Sequence, residues 1–516
     1  MDKHVRSQLE RIIDEGEGDL RSVIVQMSAD EETTRSLLET ASEAIRRRRM
    51  ATSAREALPP EAGRLTSAAA RKGRTAKRRR PREAEPSMAL QLAGQGTVGI
   101  AKEIMKTEGL RFLNPLLESG FIMQSMEKTR RGSKTRRATK ARPSYFWSSA
   151  SALLELDKDA LWKLPDEVPE IADIYPNRTL SVPPVVKIDP AKLPQQVKDN
   201  KTSAWGIHAI GALATWGAYG AKGKGVKIGL LDTGVDASHP ELKGKIEDWA
   251  EFDSAGEIVK NSKPHDSGEH GTHCAGTIVG GNHNGQWIGV APEAKLAVGL
   301  VLKGGSGTDA QILAGMQWAM DRGVHVISMS LGGLRFSADV LDTYTRTIIN
   351  ANRLGTPVVV AIGNEGSQTS GSPGNDYFAF AVGAVDHEDL AAGFSGGRTQ
   401  VINESKYISR KYLPLVYSKP EISAPGVAVT STVPKRKYET WNGTSMAAPH
   451  VAGAVALLLS ATGIQQKTES NQRAYVIQDL LIGSVEELGE AGQDHRYGFG
   501  RLDVLRAIGF AKELNY

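Results

Sequence analysis

Three short apolar runs constrain this chain more than any other feature. Residues 226–231 end at Asp232, residues 324–329 run into Ser330-Leu331-Gly332-Gly333, and residues 358–362 run into Gly363-Asn364. Each run is the length of a buried strand, and residues 309–322 between two of them carry a helical pattern. Strands alternating with helices predict an α/β fold, a mostly parallel sheet with helices on both faces. In such sheets the carboxyl ends of the strands carry the function, and here those ends are polar.

A nucleophile is written further along. Asn442-Gly443-Thr444-Ser445-Met446-Ala447-Ala448-Pro449-His450 precedes the apolar run 451–459. A hydroxyl between a glycine turn and the first turn of a buried helix suits an activated serine. The free N–H groups and positive dipole end of that helix suit an oxyanion. Serine needs a base, and His270 in His270-Gly271-Thr272-His273-Cys274-Ala275-Gly276-Thr277 is the candidate. Asp232, in Leu231-Asp232-Thr233-Gly234-Val235-Asp236, would orient the imidazole and stabilise its cation. The order Asp, His, Ser is one of the known orders of a catalytic triad.

These blocks resemble the subtilisin-like serine proteases (subtilases, peptidase S8), over about residues 201–516. The resemblance implies a serine endopeptidase that cuts through an acyl-enzyme and needs no cofactor for its chemistry. It makes Asn364, in Ala361-Ile362-Gly363-Asn364-Glu365-Gly366, the oxyanion-hole side chain. It lines the substrate cleft with Gly305, Ser306, Gly307, Ser330, Leu331, Gly332, Gly333, Ala361, Gly363 and Gly371, and Pro373 falls at a position often cis. Glycine walls leave room for a large apolar P1 side chain, and Glu365 at the rim would accept a basic tip. Gly305-Ser306-Gly307 would pair with an extended substrate by strand addition. His273 reads as structural and Cys274 as a small buried hydrophobe. Glu241 falls where relatives place a calcium ligand, although residues 281–286 with His283 depart from the usual oxygen donors.

Residues 1–200 differ in character, with 36 Lys and Arg against 28 Asp and Glu, while residues 201–516 have 28 against 31. Two stretches read as ordered, about 20–49 and 144–180. They resemble the halves of a small α+β propeptide domain that folds onto and inhibits the protease. Between them, about 50–143, lies a basic stretch expected to be a disordered insert, with a helix or two over 100–126. The run Arg46-Arg47-Arg48-Arg49 and the clusters at 71–74, 77–80 and 130–131 would attract nucleic acid or an acidic partner, or simply be solvated. Residues 181–200, with Pro183-Pro184, Pro190 and Pro194, read as an extended linker. The expectation is a self-inhibited zymogen acting on polypeptides, with a regulatory pseudoprotease or partner-activated scaffold as the alternative. The charged start lacks the apolar centre of a signal peptide, and no apolar run reaches membrane length. Together with the single cysteine this gives a cytoplasmic expectation, the alternatives being non-standard export or a misassigned start.

Overall fold

The computed structural model describes residues 3–15, 19–56, 88–122, 125, 144–199 and 201–516. Its N-terminal part begins with α1 (Lys3–Glu15), which the sequence reading overlooked. Val5, Leu9 and Ile12 recur at helical spacing and are buried on one face of it. Next come β1 (Leu20–Met27) and α2 (Glu31–Glu56), the latter running past the expected end at Arg49. Helices α3 (Met88–Arg111) and α4 (Asn114–Glu118) follow.

These two helices fit the helix or two expected over 100–126, although α3 starts earlier, inside the stretch expected over 50–143 to be a disordered insert. Met105, Leu113, Leu116, Phe121 and Ile122 supply enough apolar surface to pack against the sheet. The remainder of that expectation, and with it the clusters at 71–74, 77–80 and 130–131, lies outside the described residues.

Then β2 (Tyr145–Phe146), β3 (Ser151–Asp157), α5 (Lys158–Glu167) and β4 (Ile171–Pro176) complete the unit. Between β2 and β3 lies a turn in which Ala150 takes a positive φ of 50°. The sheet order is β2-β3-β1-β4, with β1 paired antiparallel to both β3 and β4. Helix α5 is capped by Asp157, whose carboxylate accepts from Ala160 N–H at 2.8 Å.

The connector is structured along part of its length. It holds β5 (Thr179–Ser181), β6 (Val186–Ile188), a 3₁₀ turn at Pro190–Lys192 and a short helix at Gln195–Asp199.

The C-terminal part contains β7 (Lys227–Asp232), β8 (Ile246–Glu251), α6 (His270–Val279), β9 (Lys295–Leu300) and β10 (Ser306–Thr308). Then follow α7 (Asp309–Asp321), β11 (Val326–Met329), α8 (Thr345–Arg353), β12 (Val358–Ala361) and β13 (Phe380–Val385). Last come β14 (Ile422–Pro425), β15 (Lys437–Asn442), α9 (Thr444–Ala461) and α10 (Ser470–Gly483). Seven strands form one sheet in the order β14-β13-β12-β11-β7-β9-β8, and every neighbouring pair is parallel.

The period-two alternation of strands divides the core. Val359 and Ala361 face a cluster with α6 and α9, while Val358 and Val360 face one with α7 and α8. Helix α9 is long and apolar enough to cross a membrane, but 89% of that apolar window is buried and it is the core helix of this unit. The sheet therefore holds Asp232 and Asn364 at its carboxyl edge and delivers α6 and α9 beside them.

Candidate active site

Asp232 ends β7 and is fully buried. Its Oδ1 accepts from Thr233 N–H at 2.7 Å and lies 2.8 Å from His270 Nδ1, the first residue of α6. That contact fixes the tautomer, with Nδ1 donating and Nε2 left to accept. Burial is the largest influence and opposes a charged imidazole, but the Asp232 charge, Cys274 and the hydrogen bonds to both together outweigh it, so the His270 pKa stands well above 6.5. Two further residues, absent from the sequence reading, hold the start of α6. Asp266 accepts from Thr272 N–H at 2.7 Å, and Thr233 Oγ accepts from Gly271 N–H at 2.8 Å. Gly271 is required there because a Cβ would lie 2.1 Å from Gly234 O.

Ser445 sits in the first turn of α9, fully buried. Its Oγ and His270 Nε2 both lack a hydrogen-bond partner, as does Asp232 Oδ2. Three unpartnered buried polar atoms in one cluster are uncommon, which makes this cluster the candidate site. Pro449 lies four residues past Ser445 and has no N–H to give, so the Ser445 carbonyl lacks its helical partner. Ser330 Oγ donates to it at 2.9 Å and Cys274 Sγ at 3.4 Å. Cys274 is thus more than a space-filler. It lies 3.9 Å from His270 Nδ1, though burial raises its pKa and keeps it a thiol. His273 stacks on Trp441 with centroids 4.4 Å apart, and burial lowers its pKa to about 3, which fits a neutral structural ring.

Asn364 follows β12. Its Oδ1 accepts from Thr444 N–H at 2.8 Å and Thr444 Oγ at 2.7 Å, which turns the amide nitrogen toward the cleft. There Nδ2 donates to Pro184 O at 2.7 Å. The connector is therefore in the cleft. β5 pairs antiparallel with β10, aligning Ser181 with Ser306 and Leu180 with Gly307. On its other edge Ser181 and Gly332 exchange backbone hydrogen bonds at 3.3 and 3.0 Å, and Val182 N–H donates to Gly305 O at 3.0 Å. Beyond Pro184, β6 pairs antiparallel with β15, three residues short of Ser445 at Asn442.

The remaining cleft residues surround this strap. Leu180 is buried and its Cγ is 3.5 Å from where a Gly333 Cβ would stand. A Gly332 Cβ would stand 3.4 Å from Gly371 Cα, and Gly333 pairs with Ser372. Leu331 and Ala361 are buried, and Gly363 has φ of +119°. Glu365, read as a rim acid, turns back so that its carboxylate accepts from Asn364 N–H at 2.9 Å. Ser372–Pro373 is cis.

The loop beside Glu241 is a weaker candidate. Glu241 is buried, and its Oε1 accepts from Asn284 N–H at 3.1 Å and Tyr438 O–H at 2.9 Å, while Oε2 has no partner. One free carboxylate oxygen suits a hard cation, but Gly281 O, Asn282 O and Asn284 Oδ1 accept from Ile288, Gly285 and Gln286 N–H. The one cluster of three potential metal ligands among the described residues is Asp232, His270 and Cys274.

Asp232, His270, Asn364 and Ser445 thus gather at the carboxyl edge of the parallel sheet. The subtilase family (peptidase S8) matches residues 223–500. The chain belongs to the subtilase family. Relatives of this subtilase include the major intracellular serine protease of Bacillus subtilis (strain 168). It is 37% identical over 284 residues, covering 53% of this chain and 81% of the relative. Subtilisin DY of Bacillus licheniformis is 40% identical over 292 residues, 56% of this chain and 92% of the relative. An intracellular serine protease of Paenibacillus polymyxa is 36% identical over 283 residues, 53% and 78% of the two chains. The alignment lengths leave much of the N-terminal part of this subtilase without a counterpart in these matches.

Proposed function

We propose that this subtilase is a serine endopeptidase made as a self-inhibited zymogen. In this reading residues 1–200 are the inhibitory region and 201–516 the catalytic domain. Ser445 Oγ attacks the scissile carbonyl as His270 Nε2 takes its proton. Asn364 Nδ2 and the Ser445 N–H hold the oxyanion, and His270 returns the proton to the leaving amine. Water then hydrolyses the acyl-enzyme by the same route. Asp232 keeps the imidazole in its tautomer throughout.

The observation that carries the zymogen reading is the Pro184 carbonyl on Asn364 Nδ2, with the strap paired on both sides of it. That is the pose of a substrate with Pro184–Val185 as the presented bond. Pro183 and Pro184 lack N–H donors, so strand pairing stops after Val182, and the strap is a slow substrate that blocks the cleft. Self-cleavage falls between Leu180 and Ser203. The buried Leu180 and the glycine walls at Gly332, Gly363 and Gly371 support a preference for large apolar residues, including at P1. Profiling with a peptide library tests this, and strict selection for basic residues would refute it.

The intracellular relatives support a cytoplasmic location. Glu241 would supply one ligand to a structural calcium ion, which takes no part in the chemistry. Labelling of the purified chain by a fluorophosphonate tests the enzyme reading against a pseudoprotease, since only an activated serine reacts. The label should appear on Ser445, slowly in the intact chain and rapidly after self-cleavage.

A further inference from the structure

The basic run in the second half of α2 offers the furthest inference. As a sequence it reads as a solvated patch or a lure for an acidic partner. Three of its four arginines instead reach the catalytic domain: Arg49 lies 5.3 Å over the Tyr412 ring, and Arg47 and Arg48 find polar partners. Arg47 donates at 2.9 Å to Asp479 Oδ2, Gln472 Oε1 and Glu43 Oε1. Arg48 goes deeper, and its side chain is 10% exposed. One guanidinium nitrogen, Nη1, lies 2.7 Å from Glu421 Oε1 and donates to Tyr377 O at 2.8 Å. The guanidinium carbon stands 4.5 Å over the Tyr377 ring. Phe378, Tyr475, Gln478 and Asp479 complete the walls.

Charge alone does not explain this seat. Glu421 already has a fully buried cation, because Lys419 Nζ donates to its Oε1 at 2.7 Å, and Ala381 N–H donates to its Oε2 at 2.6 Å. Arg48 is a second cation on a carboxylate that is already matched. The strain is visible on Lys419. Burial, with the Arg48 charge adding to it and Glu421 opposing, lowers its pKa to about 8. Burial opposes the Arg48 charge too, but Glu421 and the other groups around it outweigh burial and raise its pKa, so shape acts together with charge. A guanidinium can stand over an aromatic face while one of its nitrogens reaches a carboxylate oxygen and a carbonyl, which spreads its contacts further than the single nitrogen of an ammonium can.

We propose that Tyr377, Glu421 and Asp479 form a guanidinium-recognition socket on the catalytic domain, and that Arg48 is its resident ligand. Seating it pins the second half of α2 and deepens the zymogen reading, on which its regulatory meaning rests. The partner chemistry is an arginine side chain presented from a helix.

The test uses the full chain carrying Ser445→Ala, so that it stays intact, with hydrogen exchange read over α2. Arg48→Ala should lose protection about tenfold or more in the second half of α2, the scale of one or two charge-assisted hydrogen bonds. Exchange in β1 and β3 should stay unchanged, which shows that the fold persists. Methylguanidinium should restore protection to Arg48→Ala, and methylammonium should not. Arg48→Lys should remain as loose as Arg48→Ala. Unchanged exchange in Arg48→Ala, or equal rescue by methylammonium or lysine, overturns the socket. Fluorophosphonate labelling of Arg48→Ala with Ser445 intact separates the two readings. Loosened α2 with guanidinium-specific rescue but unaltered labelling leaves the socket standing and removes its inhibitory role.

Discussion

Two buried polar clusters in this molecule are built in opposite ways. In the cleft, Asp232 Oδ2, His270 Nε2 and Ser445 Oγ are buried without partners. At the contact between the two parts, Asp309 is equally buried but its oxygens are fully engaged. Arg178 Nε and Nη2 reach it at 2.9 and 3.0 Å, Arg178 N–H at 2.8 Å and Tyr344 O–H at 2.5 Å. A satisfied ion pair fixes an interface, whereas unsatisfied groups are a cost that makes sense only if a reacting substrate supplies the missing partners. In the function proposed above, the first cluster reacts and the second holds.

The contrast is broken most severely at Ser445. Replacing it with alanine should lower turnover of a peptide substrate by about a millionfold, the scale known for a subtilisin, with the fold retained. Retained turnover would move the nucleophile elsewhere. Asn364→Ala should lower kcat by about 10²–10³, again a magnitude from a subtilisin, with little change in KM. A KM effect alone would make Asn364 a substrate-binding residue.

The holding cluster should respond differently. Arg178→Ala strands the Asp309 carboxylate in the interface, which costs about 3 kcal/mol. That corresponds to roughly a hundredfold faster fluorophosphonate labelling of Ser445 in the intact chain. Unchanged labelling would show that this pair does not hold the strap.

The smallest effect concerns protons. His270 must be neutral to accept from Ser445, and its pKa is raised chiefly by Asp232 against the opposing burial. Activity of the self-cleaved enzyme should therefore be lost as pH falls through a value above 6.5, and rise with pH through it. Asp232→Asn should shift that limb downward, because the charge that raises the pKa is gone.

The site was largely legible because its chemistry is local in sequence. A strand end, a helix start and a glycine turn each announce one residue by their immediate neighbours. Asp266, Thr233 and Thr444 were not announced, since a hydroxyl or carboxylate that orients a neighbour looks like any other turn residue. The sheet was legible from its apolar runs, and α1 was equally so from Val5, Leu9 and Ile12. The long-range contacts were not. Asn364 and Pro184 are 180 positions apart. No local pattern states that a proline pair will lie on an amide from another element. Arg48 carries the same lesson, since four consecutive arginines read as a solvated charge until the acidic and aromatic partners are known.

The central claim is that the connector lies in the cleft as a slow substrate and silences Ser445 until it is cut. Intact-mass spectrometry of the purified chain over time, with activity assayed in the same samples, tests it directly. The account predicts one early cut between Leu180 and Ser203, at Pro184–Val185 or close to it, with activity rising in step and neither event in Ser445→Ala. Full activity in uncut chain, or the same cut in Ser445→Ala, would contradict it.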